Sequence, residues 1–79
     1  MMVEISAATR EFPLAHVEKV FARNGIVFEP REVIQGKEAA MVYHATLDPS
    51  VSLDDVSAQL MEGDAGIASV SWEPPKRHG

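Results

Sequence analysis

The sequence predicts a small α+β domain whose six segments follow the order strand, helix, strand, strand, helix, strand. Two segments space their apolar residues three and four positions apart, which is typical of amphipathic helices. Three of the other four alternate apolar with polar or small residues, which is typical of half-buried strands. The chain has 79 residues, which is about the size of one domain. We therefore expect a single domain over residues 1–79, ordered over residues 2–73, with a tail at 74–79.

The first strand is expected over residues 2–8, because Val3, Ile5 and Ala7 alternate there with Glu4 and other polar or small residues. A helix follows.

Pro13 favours the start of that helix, since the first helical turn does not need its missing N–H. The pair Asn24-Gly25 is expected to end it in the left-handed conformation. The predicted apolar stripe consists of Leu14, Val17, Val20 and Phe21, and the predicted solvent side of His16, Lys19 and Arg23.

A hairpin is expected next, with strands over residues 26–34 and 39–47 joined by a turn that contains Gly36. The first of these strands carries Pro30 among charged residues, and proline cannot donate to a strand ladder. We therefore place that strand at an edge of the sheet. The second is expected to be central, with Met41, Tyr43, Ala45 and Leu47 on one face and Val42, His44 and Thr46 on the other.

The second helix is expected to begin after Ser52, a good N-cap residue, and to end at Gly63. Its apolar stripe is Leu53, Val56 and Leu60. The last strand is expected over residues 67–73, and the prolines at 74 and 75 end it. Its side chains are predicted to alternate, with Ala68, Val70 and Trp72 on one face and Ser69, Ser71 and Glu73 on the other.

This order of elements favours the ferredoxin-like βαββαβ sandwich, an antiparallel sheet in the order 4-1-3-2 with both helices on one face. In that order the second strand lies at an edge, in agreement with the position of Pro30.

The composition excludes several classes of protein. The formal charge is −5, from 7 basic and 12 acidic residues, and the basic residues are scattered, so we expect neither nucleic acid nor an anionic membrane surface as a partner. No apolar stretch approaches the roughly 20 residues of a membrane span, so we expect this chain to be soluble and not to insert into a membrane. There is no cysteine, which excludes disulfides and thiolate sites.

We expect no catalytic, cofactor or metal site. The histidines, at positions 16, 44 and 78, do not have metal-ligand spacing. Ser52, His44 and Asp48 lie close in sequence but without a nucleophile elbow, and the neighbouring Asp54 and Asp55 are better explained as first-turn charges. No glycine lies in the turn of residues 9–13, so no phosphate-binding loop is expected there.

One feature suggests an interaction surface. Trp72 is expected near the end of an edge strand, and tryptophan is enriched at binding hot spots. Closing the rim of a small core is the other interpretation of this residue. The strand that contains Ala68, Val70 and Trp72 is therefore a candidate interaction edge, through which a second copy or another protein could add a strand.

The residues also suggest a family. The segments Val-Tyr-His-Ala-Thr-Leu at 42–47, Leu-Asp-Asp-Val at 53–56, and Gly-Ile-Ala-Ser-Val-Ser-Trp-Glu at 66–73 resemble the C-terminal cytoplasmic domain of the MgtC/SapB membrane-protein family. The Val-Ser-Trp-Glu ending is the most specific of these motifs. Before residue 42 the similarity is one of pattern only.

This resemblance implies an ACT-like domain that is joined, in the intact protein, to membrane helices outside this sequence, on the cytoplasmic side of the bacterial inner membrane. The family is associated with growth under magnesium limitation and with virulence, and the resemblance implies a regulatory or protein-interaction role without catalysis. The expected partners are the membrane domain, another protein or a second copy.

The alternative function is an ACT-type sensor that binds a small amino acid or a divalent cation. ACT domains often use a glycine in the turn before the first helix, and Phe12-Pro13-Leu14 stands there instead. We also expect no specific Mg²⁺ site, because the spacing of the acidic residues matches no dedicated loop. Those residues are Asp48, Asp54, Asp55, Glu62 and Asp64.

Overall fold

The structure is a computed structural model that describes residues 1–9, 11–36, 38–62 and 66–73. It contains the six predicted elements in order: β1 (Met2–Ala7), α1 (Leu14–Arg23), β2 (Val27–Ile34), β3 (Ala40–Thr46), α2 (Leu53–Met61) and β4 (Ile67–Glu73). The predicted boundaries that fall on described residues are confirmed to within one residue. The predicted helix end at Gly63 and the predicted tail at 74–79 lie outside the described residues.

The four strands form one antiparallel sheet in the order β2-β3-β1-β4. This is the predicted ferredoxin-like arrangement, with β1 and β3 in the centre and β2 and β4 at the edges. Pro30 lies on β2 and therefore on an edge strand, as predicted.

Both helices cover the same face of the sheet. The hydrophobic cluster joins inward side chains of the two central strands to buried side chains of α1 and α2. Its fully buried large members are Val3, Ile5, Val17, Val20, Phe21, Tyr43, Val56 and Leu60. No helix of the described residues lies over the opposite face of the sheet.

Three aromatic rings connect α1 to the sheet. The Phe21 ring centroid lies 5.2 Å from that of Phe28 on β2 and 5.4 Å from that of Tyr43 on β3, and the Phe28 and Tyr43 rings are 5.8 Å apart. Both contacts of Tyr43 are edge-to-face, with interplanar angles of 86° and 82°, an arrangement that contributes about 0.5–1.5 kcal/mol per pair beyond area burial.

A glycine in the left-handed conformation ends α1. Gly25 has φ of +67°, and its N–H donates to the Ala22 carbonyl while that of Ile26 donates to the Phe21 carbonyl. These two bonds form a Schellman motif, which satisfies carbonyls that a helix end leaves unpaired. Ile26 is then buried in the core, so the turn directs the chain from α1 into β2.

Two side chains of α1 differ from the prediction. Leu14 was expected in the apolar stripe, but it is 43% exposed because it begins the helix beyond the edge of the core. His16 was expected on the solvent side; it is half-buried, and its Nε2 lies 2.9 Å from the carbonyl oxygen of Leu60. Since a carbonyl only accepts, Nε2 carries the proton and His16 caps the last turn of α2.

The predicted alternation of β4 is wrong at its first residues. Ser6 pairs with Ser69, but Ala7 pairs with Ile67, so a bulge leaves Ala68 without a partner on β1. Ile67 consequently packs against the core and Ala68 is exposed. Beyond the bulge the alternation is confirmed, because Val70 and Trp72 face the helices.

Replacing Gly25 with alanine should destabilise the domain by about 1 kcal/mol, because alanine pays a steric cost at positive φ. The matched control is Gly36→Ala, since Gly36 has no positive φ and a Cβ there meets nothing within 4 Å. Urea unfolding followed by circular dichroism measures both variants. Equal stability changes would contradict the assigned role of Gly25.

Alkaline pH should destabilise the domain through Tyr43. Burial, with a smaller contribution from the charge of Glu18, raises the pKa of Tyr43 from 10.0 to about 12. Above pH 10 the unfolded chain loses this proton before the folded one does, so the free energy of unfolding falls by roughly 1 kcal/mol per pH unit between pH 10 and 12. Urea unfolding at several pH values tests this, with Tyr43→Phe as the control that should lose the additional slope.

Candidate interaction surface

The direction of the backbone hydrogen bonds determines which groups of the sheet remain unpaired. Met1 and Ala45 exchange both of their backbone bonds, with N···O distances of 3.2 and 2.7 Å, and Ala7 N–H donates to Ala39. Bonding direction alternates along an antiparallel strand. Val3 and Ile5 therefore form their backbone hydrogen bonds with β3. The residues that alternate with them on β1, which are Met2, Glu4 and Ser6, form theirs with β4.

The same alternation assigns the free edge of β4. The residues of β4 that lie opposite Met2, Glu4 and Ser6 bond to β1; these are Glu73, Ser71 and Ser69. The N–H and C=O groups of Val70 and Trp72 consequently point away from the sheet. Together with the exposed Ala68 at the bulge, they are the residues predicted as a candidate interaction edge, and we call this surface the β4 edge.

The free edge of β2 is protected in ways that the β4 edge is not. By the same alternation, Pro30 directs its backbone outward, so the missing N–H removes a donor from the edge and none from the ladder. A second bulge lies between Pro30 and Glu32, and charged side chains flank it. Proline, bulges and charge are the usual protections of an exposed strand.

On β4 the residues from Ile67 to Trp72 include no proline and no charge. Its bulge protects only the first residues, and Glu73 places a charge only at the end. Although β2 exposes Val27 (70%) and Val33 (61%), its backbone is interrupted in the middle. The β4 edge is therefore the better acceptor for an added strand.

A hydrogen bond from Trp72 to α2 holds β4 in place. The indole Nε1–H donates to the Ser57 hydroxyl at 2.7 Å, and the ring packs against the core. Trp72 thus closes the rim of the core, and its side chain is not free to act as an anchor, while its backbone remains available at the edge.

Met61 follows Ser57 by four residues on the same side of α2 and is 50% exposed, so an apolar side chain lies near the β4 edge.

The other candidates do not form a site. Ser52 Oγ accepts from the Asp55 N–H at 3.3 Å as the predicted N-cap, and Asp48 Oδ1 accepts from the N–H and hydroxyl of Ser50. Those bonds, the backbone bond foremost, lower the pKa of Asp48. His44 lies on the open face opposite Glu29 and Met2, so nothing joins it to Ser52. No group of three or more His, Cys, Asp or Glu side chains placed to hold a metal ion occurs among the described residues.

The surface also contains open pockets. One of about 530 Å³ lies where β2 and β3 approach the segment before α1, and its lining is mainly apolar, including Phe12, Ile34 and Met41. Ligand sites usually combine such a lining with a few fixed polar groups. The polar side chains that line this pocket, Glu11 and Gln35, are exposed, so they are not fixed groups of this kind.

No family model, curated protein or solved structure matches this chain. The helices of the described residues are also too short and too polar to cross a membrane. The sequence predicted the β4 edge from the fold order and from Trp72. The direction of its backbone groups, the bulge and the bond to Ser57 emerge only from the structure.

Replacing Ser57 with alanine should destabilise the domain by about 1 kcal/mol, because it leaves the half-buried indole N–H without its partner. Ser71→Ala is the control, since Ser71 is exposed on the open face. Unfolding monitored by the fluorescence of Trp72, the single tryptophan, measures both. A Ser57→Ala protein as stable as the control would show that the bond to Trp72 contributes nothing.

Proposed function

We propose that this chain is a non-catalytic protein-interaction domain that binds its partner by strand addition at the β4 edge. The observation that carries the proposal is the difference between the two edges of the sheet. On β2 the outward backbone is interrupted by Pro30 and a bulge, whereas on β4 the outward groups of Val70 and Trp72 are uninterrupted and uncharged. An extended segment can form main-chain hydrogen bonds with such an edge.

The chemistry of the remaining surface supports a binding role. The described polar side chains with structural bonds serve helix ends, turns and the Trp72 rim, so they already have partners in the fold. Among the described residues, the Ser50 hydroxyl donates to the Asp48 carboxylate, but both residues are exposed and their bond serves a turn.

The resemblance to the MgtC/SapB family supplies a biological context for this proposal. In that context the chain is the regulatory domain of a membrane protein that acts under magnesium limitation and in virulence, on the cytoplasmic side of the inner membrane. Its partner is then the membrane domain or an associated protein. The Val-Ser-Trp-Glu ending, which carries most of the resemblance, forms the C-terminal half of β4.

A neutral peptide of alternating threonine and valine, with blocked ends, tests the acceptor edge. We expect its addition to shift the amide resonances of Val70 and Trp72 and to slow their hydrogen exchange, while Phe28 and Val33 on the β2 edge do not change. The reason is that only outward N–H groups without a partner gain one from an added strand.

Val70→Pro is the matched variant, because it removes an outward donor without removing a bond to β1, as Pro30 does on β2. It should retain the strand and helix signals of circular dichroism and lose the peptide response. Should it not fold, Ser71→Lys, which adds a charge beside the same edge, replaces it. A peptide that shifts only β2 resonances, or none up to its solubility limit, would refute the proposal.

A further inference from the structure

We infer that the β4 edge binds a second copy of this chain, with the two β4 strands antiparallel and the two-fold axis passing through Val70. This inference rests on the proposed function, since it names the partner of the same edge. It predicts one continuous sheet of eight strands with all four helices on one side.

The first argument is the hydrogen-bonding register. Val70 and Trp72 direct their backbone groups outward, so two copies can bond only where such residues lie opposite one another. With the axis through Val70, Val70 lies opposite its own copy and Trp72 lies opposite Ala68. This register spans the described length of β4, Ile67–Glu73, with the Val70 pair at its centre.

Other symmetric registers are worse. An axis through Ser71 pairs only residues 69–73 of β4, so fewer backbone bonds can form between the described strands. An axis through Trp72 places the two largest side chains of the strand opposite each other and pairs only residues 71–73. The Val70 register instead pairs the bulky Trp72 with the small Ala68.

The second argument is charge. Each copy carries a formal charge of −5, which opposes association, but the strand β4 carries a single charged residue, Glu73. In the Val70 register Glu73 lies opposite Ile67, and the two Glu73 residues are six positions apart, or about 20 Å. At physiological ionic strength that separation exceeds the Debye length of about 8 Å, so no like charges meet between the two paired strands.

The third argument is the apolar side chain near the edge. Met61 is half-exposed on the same side of α2 as Ser57, the residue that bonds to Trp72 on β4. A second copy brings its own α2 to the same place, antiparallel to the first, and covers this side chain. An isolated peptide strand added to the edge would bring no helix with it.

Cross-linking tests the register. In this register Ser69 of one copy lies opposite Ser71 of the other. The two residues form no backbone hydrogen bond with each other, and the Cα atoms of such a pair are about 4.5 Å apart. That distance permits a disulfide. In a glutathione buffer, a mixture of the Ser69→Cys and Ser71→Cys proteins should form a covalent dimer, and each protein alone should form much less. Ser6→Cys mixed with either is the control, because Ser6 lies on the inner strand β1.

Sedimentation of the unmodified chain, from low micromolar to near-millimolar concentration, provides the second measurement. We expect a weak dimer that strengthens as sodium chloride is added, because salt screens the repulsion between two acidic copies. Ser69→Lys combined with Ser71→Lys should abolish the dimer, and Ser6→Lys, which adds charge to the same face, should not.

A chain that stays monomeric throughout would overturn this inference, as would Ser71→Cys cross-linking efficiently with itself. The neutral peptide separates the two proposals. If the peptide binds the β4 edge while the chain is monomeric, the acceptor edge stands and the second copy is wrong; if neither binds, the proposed function fails as well.

Discussion

Burial of one face of β1 fixes which backbone groups of the whole sheet remain unpaired. Side-chain direction and hydrogen-bond direction both alternate with a period of two along a strand. Val3 and Ile5 face the helices, and their backbone groups bond to β3. The inward residues opposite them, Trp72 and Val70, must then direct their backbone groups to the free edge. A core requirement on the central strand thus determines the chemistry of the surface two strands away.

Much of this fold could be predicted because its signals are local. The alternation in β1 and β3, the Asn24-Gly25 stop and the Ser52 cap each depend on a few neighbouring residues, and all are confirmed. The position of Pro30 at an edge also follows from the chemistry of one residue. These local signals agree with the global order of strands, and such agreement is characteristic of sequences that specify one fold.

The features that escaped prediction depend on contacts between distant segments. His16 caps α2 because the end of that helix lies against α1; the bonded carbonyl of Leu60 is 44 residues further along the chain. Helical periodicity predicts only which side of α1 the ring occupies, so it could not predict this bond. The bulge at Ala68 likewise depends on the pairing of β4 with β1. A displacement of one residue exchanges the faces of Ile67 and Ala68, so the side chain that joins the core there could not be read from alternation.

The two edges of the sheet have different residues at equivalent positions, and this difference carries the functional argument. A four-stranded sheet in a chain this short cannot close on itself, so two strands must present unpaired backbone groups to solvent. On β2 the outward position opposite Tyr43 is a proline; on β4 the corresponding outward positions are a valine and a tryptophan whose indole is already bonded to Ser57. That bond fixes β4 against α2, which lowers the entropic cost of ordering this strand when a partner binds. An edge that is rigid, uncharged and unblocked is what strand addition requires, and β4 has these properties where β2 does not.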